Sequence, residues 1–232
     1  DSKTIADGGP DPYVYEVGNN LFISPLKPVG SWSFEEGGDT TAYDSSGNNN
    51  HGTLKNGPTW TDGQVNGALS FDGVDDYVDC GNGASLNITN AITVEAWAKL
   101  NNLSGARTII SKAEGAGWGI EYGVSVVNKF DWAPNINGSY YVSLANDTAE
   151  LNKWYHLVGT YDGQQVKFYI NGILQNDIKN ITGSIKISSV QVEIGSNPPG
   201  ASVLFNGLID EARIYNRALS AEEIKRHYEE SK

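Results

Sequence analysis

From Gly30 onward the chain alternates apolar with polar residues at a period of two. The segments GSWSFEE, GALSFDG, DYVDCG, AITVEAWAKL, RTIISK, WGIEYGVSVV, YYVSLA, KWYHLVGTYD, QQVKFYING, VQVEIGS and FNGLIDEARIYN all show it, and all are rich in Val, Ile, Tyr, Phe and Trp. Successive side chains of a pleated strand point to opposite faces, so each segment predicts a half-buried β-strand. Clusters of Gly, Asn and Asp separate the segments, and Asp162-Gly163 between GTYD and QQVKFYI predicts a two-residue type I′ hairpin. So many short strands bury their apolar faces by packing sheet on sheet. The expected class is all-β, a two-sheet antiparallel jelly-roll sandwich. Its core is expected to draw on Trp32, Phe34, Leu69, Phe71, Val94, Ala96, Ile109, Trp154, Leu157, Phe168, Ile170, Ile194 and Ile214.

Helical period appears only in SAEEIKRHYEE, Ser220 to Glu230, where Ser220 and Glu223 have the spacing of a capping box. The segment is too polar for a core element and is expected at a sheet edge or end. Residues 1–29 carry Pro10, Pro12, Pro25 and Pro28, which rules out a central strand along their length. They read as an N-terminal arm or linker in which YVYEV, Tyr13 to Val17, can form an edge strand. Residues 30–232 read as one domain that includes the helix at 220–230.

Lys and Arg number 16 against 28 Asp and Glu, a formal charge of −12. That excludes a basic groove for nucleic acid and favours solubility or cation binding. No apolar run approaches the length that inserts into a membrane. The single Cys80 has no internal partner, so core burial, helped by metal, must hold the fold. The 232 residues contain no Met, even at position 1, which points to a segment of a longer chain. Sequons begin at Asn87, Asn102, Asn137, Asn146 and Asn180, in keeping with an extracellular or cell-surface life.

Catalytic patterns are missing. Glycoside hydrolysis on a jelly roll needs paired carboxylates at short spacing on one strand, and VEAWAK at Glu95 and VEIGS at Glu193 hold one each. A polysaccharide lyase would need His, Tyr and basic groups converging on one sheet; His156 instead reads as a strand-surface histidine. Ser-His-Asp hydrolysis lacks its G-x-S-x-G elbow. Glycoside hydrolase and polysaccharide lyase are therefore minor alternatives, and the expectation is a protein that is not an enzyme. Residues 115–147 instead concentrate aromatic rings, which stack on the apolar faces of sugars while amides and carboxylates take the hydroxyls. Trp132 lies in a loop-like stretch and Trp118 between glycines. With Tyr140, Tyr141 and Asn135 they are the expected glycan-binding set. The other reading of the same rings is core, which would leave a module that binds a surface protein or is purely structural.

The ordered motifs WSFEE, DSSGNNNHGT, GALSFDGVDDYVDCG, ITVEAWAKL, KWYHLVGTYDGQQVKFYING and FNGLIDEARIYNRALSAEEI resemble those of concanavalin A-like, laminin-G-like jelly-roll modules over roughly residues 30 to 230. The resemblance implies a secreted or cell-surface carbohydrate-binding or adhesion module, often with a structural calcium ion. It also implies that WSFEE and GLIDEARIYN pair near a sheet edge, bringing the oxygen-rich loop at 34–53 towards Asp210. On that basis a Ca²⁺ ion is expected on Glu36, Asp44, Asn50, the Gly52 carbonyl and Asp210, since Ca²⁺ takes six to eight oxygen ligands. The competing expectation is a hydrogen-bonded turn with Arg213 as counter-ion to the acids. DSSGNNNHG lacks the final Glu of an EF-hand, and scattered histidines argue against zinc.

Overall fold

The structure, a computed structural model, describes residues 14–17, 20–23, 27–113, 117–122, 128–199 and 203–232. Two antiparallel sheets carry the fold. In the larger, the strands Ile173–Leu174, Gln165–Ile170, Trp154–Tyr161, Ile92–Leu100, Asn206–Tyr215, Gly67–Asp72 and Thr59–Asp62 follow one another from edge to edge. Gly30–Trp32 pairs with the later half of Asn206–Tyr215, and Lys179–Asn180 with the start of Gln165–Ile170. The second sheet runs Ser143–Leu144, Phe130–Trp132, Gly119–Tyr122, Arg107–Ser111, Glu193–Ile194, Tyr77–Asp79, Gly52–Lys55 and Thr41–Ala42. The two-sheet jelly roll expected from the alternation is what the chain forms.

Cross-strand pairs show why alternation specifies this packing. Ile110, Ile194, Val78 and Leu54 stand opposite one another across four strands of the second sheet, so one apolar face is continuous. The larger sheet answers with Leu69, Val94, Ala96, Leu157 and Phe168, all fully buried. Burial of apolar surface at about 25 cal/mol per Å² makes these layers the main source of stability. Of the expected core, Trp154 and Ile170 are only half-buried. Trp154 instead carries the Lys99 ammonium 5.1 Å from its ring, and Ile170 lines a groove.

Between Asp162 and Gln165, only Gly163 of the two central turn residues has positive φ, 92°. A type I′ turn needs positive φ at both, so the hairpin is of the II′ kind rather than the I′ kind that Asp-Gly suggests. Val14–Val17 pairs with Asn20–Ile23 as a two-stranded hairpin of its own.

The helix Ala221–Glu230 has the expected cap: Ser220 Oγ accepts from Glu223 N, and Glu223 Oε2 accepts from Ser220 N. Its position differs from the expectation. It lies across the outer face of the larger sheet, where Ile224 packs with Val158, Tyr169, Tyr215 and Leu219. His156 is consequently 2 % exposed rather than on the surface, with its ring against Tyr228 of the helix and 3.7 Å from Glu95 Oε2. A single apolar turn suffices to seat so polar a helix because charges beneath it, described next, take up its histidine.

Candidate functional site

Three groups of side chains were candidates for chemistry, and the fold treats them differently. The first is Glu95, fully buried at the centre of Ile92–Leu100. His227 Nδ1 lies 3.0 Å from its Oε2, while Arg213 Nη1 and Tyr215 Oη donate to Oε1 at 3.1 and 3.2 Å. Burial alone would raise this carboxyl, but the contacts from His156 and His227 outweigh it and hold Glu95 well below the usual carboxylate range. Sealed beneath the helix, the cluster is a clamp between helix and sheet. It also places Arg213, which is bound to Glu95 and Glu211 and so makes no bond to Asp210.

The second group is the loop 34–53. Asp44, 6 % exposed, accepts four hydrogen bonds: from Ser31 N and Ser46 N on Oδ1, and from Ser46 Oγ and Asn50 N on Oδ2, at 2.8 to 2.9 Å. Asn50 gives its Nδ2 to Val29 O and Ser85 Oγ and receives Trp32 Nε1 on its carbonyl. Gly52 enters the strand pairing opposite Ala42. Four donors fill the lone pairs of one carboxylate. The expected gathering of Asp44, Asn50 and Gly52 with Asp210 around one ion is therefore corrected: these three build a turn and a strand start, and their partners are disjoint from those of Asp210.

Asp210 makes the third group. It is 0 % exposed, and its Oδ2 accepts from Gln64 N and Val65 N at 3.0 and 2.9 Å. Its Oδ1 is buried with no partner among the described residues. Burial, opposed by the two amides and reinforced by Glu35, pushes Asp210 up to about 7. The strand bulges between Asp210 and Arg213, with Glu211 at φ 50°, which gives Asp210 and Glu211 both a buried place instead of one acid inward and one outward.

Oxygens crowd around this carboxylate. A Cβ on Gly63 would overlap Gly67 O and come within 2.7 Å of Asp210 Oδ2; one on Gly67 would overlap Phe34 O and come within 3.4 Å of Glu35 Oε2. Phe34 holds φ 58°, a conformation that costs a bulky residue energy and clusters at functional sites. Glu35 Oε2 also accepts from Gly67 N at 3.2 Å. Glu36, on the other side of the chain, takes Tyr43 N on Oε1 at 2.7 Å and keeps Oε2 buried without a partner among the described residues.

Phe34, Glu35 and Gly67 also wall an open groove of about 480 Å³ against the edge strand Thr59–Asp62. Trp60 lines it, half-buried and packed on one side against the core, with Nε1 fixed on Asp39 O at 3.0 Å, and Asp62 and Asn66 line the same groove. Among the described residues two carboxylates line this groove and no Lys or Arg does. The ring was missed in the sequence. TWTD carries part of the signal, a short alternating run whose one apolar residue is a Trp, but its place at an edge comes from the sheet order.

The expected glycan-binding set does not form such a site. Trp118 and Trp132 are 1 % and 0 % exposed, their ring centroids 6.5 Å apart in the core. Trp132 Nε1 donates to Thr160 O, and its ring fills the space that the absent side chain of Gly159 leaves. Asn135 is 2 % exposed and Tyr141 packs against the core. Tyr140 is exposed on the small hairpin Asn135–Ile136/Ser139–Tyr140, on the surface without the two tryptophans.

A family model for the Concanavalin A-like lectin/glucanases superfamily (Laminin_G_3) matches residues 72–225. The chain belongs to that superfamily. Among curated protein sequences none matches. Solved structures similar in fold include the binding domain of Paraclostridial Mosquitocidal Protein 1, at 20 % identity and TM-score 0.70, over 87 % of this chain and 52 % of that one. Domain 4 of AbnA, an extracellular GH43 arabinanase from Geobacillus stearothermophilus solved in complex with arabinotriose, aligns at 23 % identity and TM-score 0.70, over 86 % of this chain and 97 % of that one. The botulinum neurotoxin serotype G binding domain aligns at 20 % identity and TM-score 0.66, over 87 % of this chain and 50 % of its own. The chain thus spans about half of each toxin binding domain, and at these identities the likeness establishes the shared fold.

Proposed function

We propose that this chain is a non-catalytic carbohydrate-binding module of a larger secreted or cell-surface protein, with a structural Ca²⁺ ion. The observation that carries the reading is Trp60, a ring fixed by its own indole N–H in an open groove, flanked by Glu35, Asp62 and Asn66. Such a ring stacks on the C–H face of a sugar while the polar neighbours accept from and donate to its hydroxyls. The absence of Lys and Arg from the lining selects an uncharged sugar over an acidic one. A similar fold that holds arabinotriose lends support. Absence of catalysis is supported by Glu95, an acid locked under the helix where no substrate reaches it.

The cation would sit on Asp210 and Glu35 with the Phe34 and Gly67 carbonyls, a set in which only Asp210 remains from the five residues first expected. What favours it is the unpartnered Asp210 Oδ1, together with the close approach of Gly67 O and Asp210 Oδ2 to Gly63 and of Phe34 O and Glu35 Oε2 to Gly67. A bound divalent ion would neutralise the two acids and tie the strand Asn206–Tyr215, at Asp210, to the chain at Phe34.

Burial of Trp118 and Trp132 favours a second reading, a protein-binding adhesion module, because the broad aromatic face first expected is gone. A neutral-glycan array with the unmutated domain and Trp60→Ala, each with and without EDTA, separates the two. Binding that drops at least about tenfold in Trp60→Ala, or about 1.4 kcal/mol, is expected. Glycan binding indifferent to Trp60→Ala removes the groove from the reading, and no glycan binding at all leaves adhesion.

A further inference from the structure

The Trp60 groove lies at one edge of the larger sheet, and a second groove of about 350 Å³ lies at the opposite edge. It opens between the hairpin joining Gln165–Ile170 to Ile173–Leu174 and the stretch leading from Ser143–Leu144 into Trp154–Tyr161. Phe130 and Tyr155, ring centroids 5.3 Å apart and both buried, close it from beneath, and half-buried Ile170 with Ile173, 67 % exposed, gives it an apolar wall.

Its polar side is rigid. Gln175 Oε1 accepts from Asn146 N at 2.8 Å, Asn146 Oδ1 from Asn176 N at 2.9 Å and Asn171 Oδ1 from His156 N at 2.9 Å. These bonds set the side-chain amides of Asn146 and Asn171, whose NH₂ groups have no hydrogen-bond partner among the described residues and face a ligand. Lys153, the ammonium among the described residues that line the groove, is 2.6 Å from Glu150 and 5.4 Å from the Tyr155 ring, which leaves the exposed Asp147 carboxylate to accept from hydroxyls. An apolar wall, oriented amides and a carboxylate without a competing ammonium match the C–H face and hydroxyls of an uncharged sugar ring.

We propose that this groove is a second saccharide site, so that the module is bivalent; the proposal rests on the carbohydrate reading of the Trp60 groove. Six strand spacings of about 4.8 Å put the two edges roughly 29 Å apart. One short oligosaccharide cannot fill both sites, and the module bridges two glycan chains or two remote stretches of one. Linked sites raise the strength of attachment to a polymer well above that of either alone, without any new contact.

The test is site-resolved NMR titration with a pool of neutral trisaccharides (arabinotriose, xylotriose, maltotriose and cellotriose). The protein is made without N-glycans, because Asn146 opens a sequon inside the groove. The Trp60 indole N–H reports one groove, and the Asn146 and Asn171 side-chain amides report the other. Saturable shifts at both are expected. Trp60→Ala should leave the amide response unchanged, and Ile173→Asp, at an exposed position, should weaken it at least about tenfold with the Trp60 response intact. Shifts at Trp60 without shifts at the amides overturn the second site and leave the first. Amide shifts without Trp60 shifts overturn bivalency and the first site together, and silence at both overturns the carbohydrate reading itself.

Discussion

Asp44 and Asp210 are both buried aspartates near the first long-range strand contacts of the chain, and they differ in what surrounds them. Four donors meet Asp44, three of them backbone amides, and no capacity is left. Asp210 has two amides on one oxygen and, among the described residues, no partner on the other. A carboxylate that is saturated by hydrogen bonds is a structural part and can stay ionised without a counter-ion. One satisfied on a single side retains an electrostatic deficit, which a proton or a cation must fill. Counting oxygen-bearing side chains in the loop at 34–53 could not separate these cases, because the decisive count is of donors.

Three experiments press on that contrast. Asp44→Ala strips the acceptors from Ser31 N and Asn50 N, two amides of buried residues that cost about 1–3 kcal/mol each when unsatisfied. A loss of about 3 kcal/mol in urea denaturation is expected, the same in Ca²⁺ and in EDTA. A loss that depends on calcium would return Asp44 to the metal and erase the distinction.

Next, Ca²⁺ should raise the melting temperature of the unmutated domain by mass action, about 2.7 kcal/mol at a hundredfold excess over Kd. Asp210→Asn should abolish that response and Glu35→Gln should weaken it. A melt indifferent to EDTA in the unmutated domain leaves the Asp210 deficit to a proton alone.

The third experiment is in pH, read in EDTA. The folded protein holds Asp210 at about 7, against an ordinary value of 3.8. A raised carboxyl stabilises most fully below its unfolded value, and that contribution falls as pH climbs to 7 and is gone above it. Asp210→Asn should therefore lose the part of the acid-to-neutral decline that the unmutated domain shows. Superimposable pH profiles of the two proteins would show that Asp210 is ionised throughout and that its bare oxygen has found a partner.

The contrast between Trp118 or Trp132 and Trp60 follows the same logic. Gly-rich and Pro-bearing flanks made the first two look like loop residues, yet Trp132 pairs opposite Ile120 and nests over Gly159, a residue far away in sequence. Trp60 is in a strand with a clear partner, Leu69 on Gly67–Asp72, but nothing in TWTD says that the strand is an edge. His156 misled for a related reason: alternation assigns it a face of the sheet but is silent on the helix that covers that face.

Periodicity, turn residues and a capping box are local, and they were enough on their own for the longer strands, the sandwich class, most of the core from Trp32 to Ile214 and the helix at Ala221–Glu230, though not for Gly52–Lys55, Thr59–Asp62 or Phe130–Trp132. Which carboxylate is saturated, which tryptophan meets solvent and which sheet edge opens into a groove depend on groups brought together from distant parts of the chain, Gln64 with Asp210 and Phe34 with Gly67 among them. Hydrogen-bond satisfaction and exposure are properties of neighbourhoods, and only tertiary packing decides who the neighbours are.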